Sequence, residues 1–277
     1  IVATTSSTTS VAVKNCINSG AITCTGTPNS YGGNVGGVGG SISGTSTVER
    51  CGNTGTVSST MKRTGGVAGS VSGTIQSCFN TGDVTGIYSL GGIAGITGSK
   101  NTKISDCYNW GNITCNVPAV VFKDTNAKGV GGIIGDPGST SNTGNVLKNC
   151  YNAGSIVNHD SATEGIVLGG IMGSSSAKNY KGVEIKNLIT AQNCYYLSAD
   201  GLNGDGANAD ASGITAKTES ELKASDMAGL LGGSYIPKTD NYPILGWQDP
   251  DAKYTVKFVI TPANAQLTVK QNDTVVS

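Results

Sequence analysis

Three groups of side chains in this sequence are of types that could do chemistry. Eight cysteines are present; six of them, Cys16, Cys51, Cys78, Cys107, Cys150 and Cys194, recur once per block of similar sequence, while Cys24 and Cys115 each follow one of the six by eight residues. In an exported protein that number would suggest disulfides. The recurrence argues otherwise, because copies of one column in a stacked repeat have parallel Cβ vectors, which suit packing better than bridging. With no C-x-x-C pair and one histidine there is no metal-ligand spacing either, so reduced, buried thiols acting as small apolar residues are expected. The second group is the loop 200–210, where Asp200, Asn203 and Asp205 offer oxygens to a hard cation. Their spacing matches neither the D-x-[DN]-x-[DN]-G loop nor the nonapeptide calcium repeat. A Gly-Asn-Asp turn is therefore the expectation; no cofactor is required, and calcium is the ion the loop would suit. The third group directly follows the cysteines: Phe79, Tyr108, Tyr151 and Tyr195 form an aromatic column. Facing outward, it would be a stacking strip for sugar rings; otherwise it is a ladder that stabilises a sheet.

Cleavage of a polysaccharide, by hydrolysis or elimination, needs clustered carboxylates, or aspartates with calcium and arginine. The five glutamates, Glu49, Glu164, Glu184, Glu219 and Glu221, are scattered, and the two arginines, Arg50 and Arg63, lie outside any acidic cluster. His159, within Asn-His-Asp-Ser, has no partner pattern around it and reads as a solvated loop residue. No catalytic residue is assigned, and an enzyme is not expected. Eighteen basic and eighteen acidic residues cancel, without the basic concentration that nucleic acid or an anionic membrane surface requires. Apolar runs such as IVLGGIMG are too short and too Gly-rich to span a bilayer. Neither a nucleic-acid partner nor membrane insertion is expected.

The elements that position these groups follow from composition and repetition. With 42 Gly, 3 Phe and 13% charged residues, rich in Ser, Thr and Asn, the chain cannot pack thick helical layers, yet its small and β-branched apolar residues can bury a core of thin strands. A block of the form G-G-x-x-G begins at Gly36, Gly65, Gly91, Gly131 and Gly169, and each precedes a Cys-centred block. Around the cysteines, four further columns keep register: Val13, Val48, Ile75, Ile104 and Leu147 three before; Asn18, Asn53, Asn80, Asn109 and Asn152 two after; Gly20, Gly55, Gly82, Gly111 and Gly154 four after; Ile22, Val57, Val84, Ile113 and Ile156 six after. The register decays at Cys194. Successive cysteines lie 35, 27, 29, 43 and 44 residues apart, so the unit is about 27 residues and the excess is insertion, chiefly at 116–128, 160–164 and 174–182. A unit of that size with three short apolar strands and Gly or Asn at its corners cannot bury its own face, but stacked copies bury a continuous core. The predicted fold is all-β: a right-handed, three-sided parallel β-helix of five to six coils, the hand following from the crossover preference of parallel strands. The odd offset of three between the apolar column and cysteine demands a bend or bulge if both point inward. The asparagines suit a left-handed corner with stacked side-chain amides, and the glycines after them positive φ or close approach.

The segments LGGIAGITGSKNTKISDCYNWGNIT and TGGVAGSVSGTIQSCFNTGDVTG resemble the GLUG motif of bacterial surface proteins, and the resemblance covers residues 11–197. Residues 215–248, ending in YPILGWQ, also resemble the element that closes such arrays. The resemblance implies a cell-wall-associated or secreted protein of Gram-positive bacteria, often multi-domain, with no catalytic residues. Thr218 and Glu221 form a T-x-x-E capping box, with Leu222, Met227, Leu230 and Leu231 on one side of a helix ending at Gly232-Gly233. This helix is expected to cover the open edge of the last coil, with Trp247 sealing it. Beyond Pro250, YTVKFVITP and AQLTVKQN alternate as a β-hairpin, the start of a neighbouring β-sandwich-like repeat or strands docked on the flank.

Three regions result: residues 1–198, the repeat β-helix; 199–249, a loop, short helix and capping element; and 250–277, the terminal strands. The chain starts at Ile1 rather than Met and its first repeat lacks an opening strand, so it reads as a piece of a longer, exported protein. The function expected is non-enzymatic: a cell-surface adhesion or stalk module, probing a host or cell-wall glycan or protein as a monomeric unit. A carbohydrate-binding β-helix is the alternative, and a polysaccharide lyase or hydrolase the more distant one.

Overall fold

The computed structural model describes residues 2–5, 9–26, 33–116, 128–139, 141–159, 165–178, 184–209, 211–251, 270–271 and 274–275. The repeats form a parallel β-helix. One complete coil contributes Val35–Gly36, Gly39–Ile42, Thr47–Glu49, Gly52–Asn53 and Val57–Ser59. Each strand stacks in parallel on its counterpart in the next coil, so that five sheets, I to V in that order, run the length of the helix. Two of the junctions between successive sheets have a cause in the sequence.

Between sheets III and IV the break is a left-handed residue. Asn15, Arg50, Ser77, Asp106, Asn149 and Asn193, each directly before a column cysteine, have φ between 50° and 54°. This is the bend that the offset of three required: it turns the chain so that Val48 and Cys51, or Ile75 and Cys78, both point into the core. The left-handed position is therefore not the asparagine column, which sits inside the strands of sheet IV. Between sheets I and II the break is the Gly-Gly pair. A Cβ on Gly66 would stand 2.2 Å from the Gly92 carbonyl oxygen and 2.3 Å from Asn80 Cγ; Gly37, Gly92 and Gly132 meet Asn53, Asn109 and Asn152 in the same way. The second glycine of each pair leaves room for the asparagine reaching across the coil.

That asparagine lies between two apolar clusters. One gathers the Val48, Ile75, Ile104 and Leu147 column, the cysteines, and Val67, Ile93 and Ile133; the other gathers Val57, Val84 and Ile113 with Leu90 and Val130. A polar group there must find partners, and the stack supplies them. Asn18, Asn53, Asn80 and Asn109 each donate from Nδ2 to Oδ1 of the next asparagine at 2.7–2.8 Å. Each also donates to the carbonyl two residues on, that of Gly20, Gly55, Gly82 or Gly111, at 2.6–2.7 Å. Those glycines act by close approach and not by positive φ: a Cβ on Gly82 would lie 2.0 Å from the Gly55 carbonyl oxygen. The ladder ends where Tyr196 pairs with Asn152. Its ring fills the space opposite Gly170, and its hydroxyl donates to the Leu202 carbonyl at 3.0 Å.

After the last coil, Ile214–Lys217 extends sheet IV. The capping box forms as read, opening a short helix α1 (Glu219–Leu222), and a second, α2 (Met227–Leu231), ends at Gly232 with φ 101°. An antiparallel pair, Tyr235–Lys238 with Asn241–Leu245, and a 3-10 turn at Gly246–Gln248 complete the element. Its position differs from the expectation. Instead of sitting over the end of the helix, it lies along the flank, on the outer face of sheet IV; Leu222, Met227 and Leu231 are buried against that face and Leu230 is exposed. Lys270–Gln271 and Thr274–Val275 form a small antiparallel pair, a different pairing from the hairpin expected around 262–264, whose residues lie outside the described ones except Lys270–Gln271. Among the described residues no helix is long and apolar enough to cross a membrane.

Candidate functional site

The aromatic column is a covered ladder. Phe79 stacks on Tyr108 with ring centroids 5.5 Å apart, and Tyr108 on Tyr151 at 5.3 Å. All three rings are buried beneath the C-terminal element. The covering contacts are specific. Trp247 donates from Nε1 to the Ser77 carbonyl at 3.0 Å, Gln248 Nε2 donates to the Tyr108 hydroxyl at 2.8 Å, and Tyr235 donates to the Asn149 carbonyl at 3.0 Å. The Tyr151 hydroxyl donates to the Pro243 carbonyl and accepts from Trp110 Nε1 at 2.6 Å. Burial pushes the Tyr108 and Tyr151 phenols up, which keeps them as donors. An open stacking strip for sugar is thus not available at Phe79, Tyr108 or Tyr151, because the faces it would use are filled by the chain's own residues. Tyr195 is half-buried and pairs with Thr215.

The loop 200–210 divides its oxygens. Asp200 and Asn203 are exposed, and Asn203 gives its carbonyl to the Gly170 N–H at 2.7 Å. Asp205 is 1% exposed. The three do not form one cage for a cation, since only Asp205 turns inside. Its register explains why: Gly39, Ala68, Ala94, Ile134, Met172 and Asp205 are successive rungs of one inward column. A carboxylate therefore occupies a rung that the other coils give to Gly, Ala, Ile or Met. Its Oδ1 accepts from the Ser175 and Ala207 N–H groups at 3.2 and 3.0 Å. Its Oδ2 has no hydrogen-bond partner, nor have the hydroxyls of Ser175 and Ser176. Burial raises the Asp205 carboxyl above the usual carboxylate range, against the backbone N–H groups that donate to it. Asp205 and Ser175 line a cleft of about 350 Å³ at this end of the helix. The residues that sequence reading missed here are Ser175 and Ser176, assigned to the 174–182 insertion. In fact Ser174, Ser175 and Ser176 are buried, and Ala177–Lys178 pairs antiparallel with Glu184–Ile185.

The cysteines are all free thiols. Five of the six column cysteines are buried, whereas Cys16, in the first coil, is half-exposed, as is Cys24. The column is tied to backbone: Cys78 Sγ donates to the Gln76 carbonyl at 3.2 Å and accepts from the Cys51 N–H at 3.4 Å, and Cys107 Sγ repeats the second bond with the Cys78 N–H. The Cys78 thiol beside it and burial push Cys51 up, and burial does the same to Cys78 and Cys150, so these sulfurs stay protonated and unreactive.

Several carboxylates elsewhere are held in ion pairs or hydrogen bonds. Glu49 meets Lys14 at 2.8 Å, Glu219 meets Lys223 at 2.6 Å, and Asp249 meets Lys238 at 2.7 Å, all at the surface. Asp136 accepts from the Ser89 hydroxyl at 2.7 Å and the Gly138 N–H at 2.7 Å. Exposed His159 continues sheet V through its backbone, donating to the Cys115 carbonyl at 3.0 Å. Among the described residues no three of His, Cys, Asp and Glu converge as a metal site. No family model matches the chain, and no curated protein or solved structure matches it.

Proposed function

We propose that the chain is a non-enzymatic display module of a secreted bacterial surface protein, acting as a stalk or adhesive rod toward a glycan or protein of a host or cell wall. The observation that carries this reading is the way coils are tied together twice. Inside, the asparagine ladder runs unbroken from Asn18 to Asn152. Outside, the C-terminal element reaches back to Ser77, Tyr108, Asn149 and Tyr151, binding three successive coils from the flank. A solenoid held in both ways is a stiff rod whose loops can diversify without disturbing the ladders, which is what display needs. Its repeat resembles the GLUG motif of surface proteins, and its ligand contacts are assigned to the insertions at 116–128 and 174–182, of which 117–127 and 179–182 lie outside the described residues.

The test is deletion of each insertion in the displayed chain, followed by adhesion to mucin or host cells. The reading predicts that at least one deletion lowers adhesion while thermal unfolding of the purified chain is unchanged. Adhesion unaffected by every deletion leaves a passive spacer, and release of reducing or unsaturated sugar ends from a polysaccharide by the purified chain contradicts the non-enzymatic reading.

A further inference from the structure

We infer that the cleft at the C-terminal end of the helix binds an uncharged, hexose-sized sugar or a similar polyhydroxylated molecule, with Asp205 as its principal hydrogen-bond acceptor. The starting point is the conflict at Asp205. An inward rung otherwise given to small or apolar side chains holds a carboxylate, 1% exposed, with one oxygen unpartnered. Buried polar groups are nearly always paired, and an orphan in a cleft marks a place where a ligand completes the bonding. The donors Asp205 already has, from Ser175 and Ala207, fix its Oδ1 and leave Oδ2 for something else.

The rest of the cleft says what that is. Its polar lining adds Ser175, Asn187, Thr190, Asn208 and Ser212, hydroxyls and amides that both donate and accept. Met172 and Ile189 supply apolar wall. The volume, about 350 Å³, lies at the lower end of the range for small-molecule sites. Among the described lining residues there is no Lys, Arg or His, so an acidic sugar or a phosphate would bring a second negative charge to the Asp205 carboxylate. A calcium ion takes six to eight oxygens, commonly several of them carboxylate, and here one carboxylate faces neutral groups. A ring carrying several hydroxyls uses the mixture: one hydroxyl donates to Oδ2, others meet the amides, and C–H faces rest on Ile189. As the glycan contact of an adhesive module the inference rests on the function proposed above; as a binding site it stands alone.

The experiment is saturation-transfer NMR and calorimetry on the purified full chain with glucose, galactose, mannose and N-acetylglucosamine, and with galacturonate and sialic acid as anionic counterparts. Asp205→Asn keeps the shape and removes the acceptor at Oδ2, and Ala211→Trp fills the cleft from its rim; thermal unfolding shows that each variant is folded. The expected result is binding of at least one neutral sugar, weakened about tenfold or more by Asp205→Asn, abolished by Ala211→Trp, and absent for the acidic sugars. No neutral sugar bound by the folded wild type, or binding unchanged in both variants, overturns the inference. Stabilisation by calcium or sodium in its place, lost in Asp205→Asn, overturns it in favour of an ion site. Because binding is read on the purified chain and adhesion on displaying cells, failure of this site and failure of the display reading are separately visible.

Discussion

Replacing Asn109 by alanine takes one rung from the middle of the internal ladder, and its cost can be set out bond by bond. Asn109 donates to the Gly111 carbonyl and to Asn152 Oδ1, and accepts from Asn80 Nδ2, each at 2.7 Å, with no exposure to water. Alanine leaves three groups short of a partner, at roughly 1–3 kcal/mol each when buried. Two of them keep a second bond, Asn80 to the Gly82 carbonyl and Asn152 from the Gly154 N–H, which places the total at the lower part of that range, about 3–6 kcal/mol. Asn18→Ala is the internal comparison. Asn18 starts the ladder in the first coil, is half-exposed, and makes only the two donated bonds; water reaches the exposed Gly20 carbonyl, and the one buried acceptor left short is Asn53 Oδ1, so the cost is about 1–2 kcal/mol. Urea unfolding followed by circular dichroism reads both, and for a slope near 2 kcal/mol per M the midpoint of Asn109→Ala falls by roughly 1.5–3 M, that of Asn18→Ala by a fraction of this. Equal, small shifts for the two variants would refute the claim that a polar ladder is sealed between the apolar clusters.

Thiol labelling of the native chain with a maleimide should modify Cys16 and Cys24 quickly and the six buried cysteines only in denaturant, with all eight labelled there without prior reduction; a shortfall would show a disulfide. Gly66→Ala, whose Cβ would meet Gly92 O at 2.2 Å with nothing able to yield, should cost about 1–3 kcal/mol or more by overpacking. Gly229→Ala, inside α2 with open space around it, should instead be neutral or stabilising by up to about 1 kcal/mol in the same unfolding assay. Tyr151→Phe strands the Pro243 carbonyl and the Trp110 N–H and should loosen the flank by about 1–3 kcal/mol, read as faster proteolytic nicking within residues 218–249 while the coils stay resistant; unchanged nicking would contradict the flank contact.

What was legible in the sequence is what rests on local relations or on strict repetition. The columns of Val48, Cys51 and Asn53 recur in register, so stacking follows at once, and the offset of three between Val48 and Cys51 forces a bend that the left-handed Arg50 supplies. The Thr218 and Glu221 box is likewise a relation over three residues. The asparagines were misplaced at a corner because the reason for them lies across the coil, at the glycine of each Gly-Gly pair, and neither column alone shows that Asn80 and Gly66 face one another. Distance in sequence hid the covering of the aromatic column: Tyr108 meets Gln248 from 140 residues away, and no local pattern announces such a partner. Asp205 reads as a turn residue because the spacing of its neighbours' oxygens matches no cation loop; its rung becomes visible only through pairing with Met172.

The central claim, display without catalysis, is tested most directly by retention of cells under flow. A non-adherent bacterium carrying the full chain on its surface is passed over mucin or a host-cell layer beside the same strain carrying an unrelated solenoid. The account predicts retention above that control, lost when the chain carries Asn109→Ala and is warmed past its lowered transition, with the polysaccharides of the surface left uncut. Retention no greater than the control, or sugar fragments released into the flow, would contradict it.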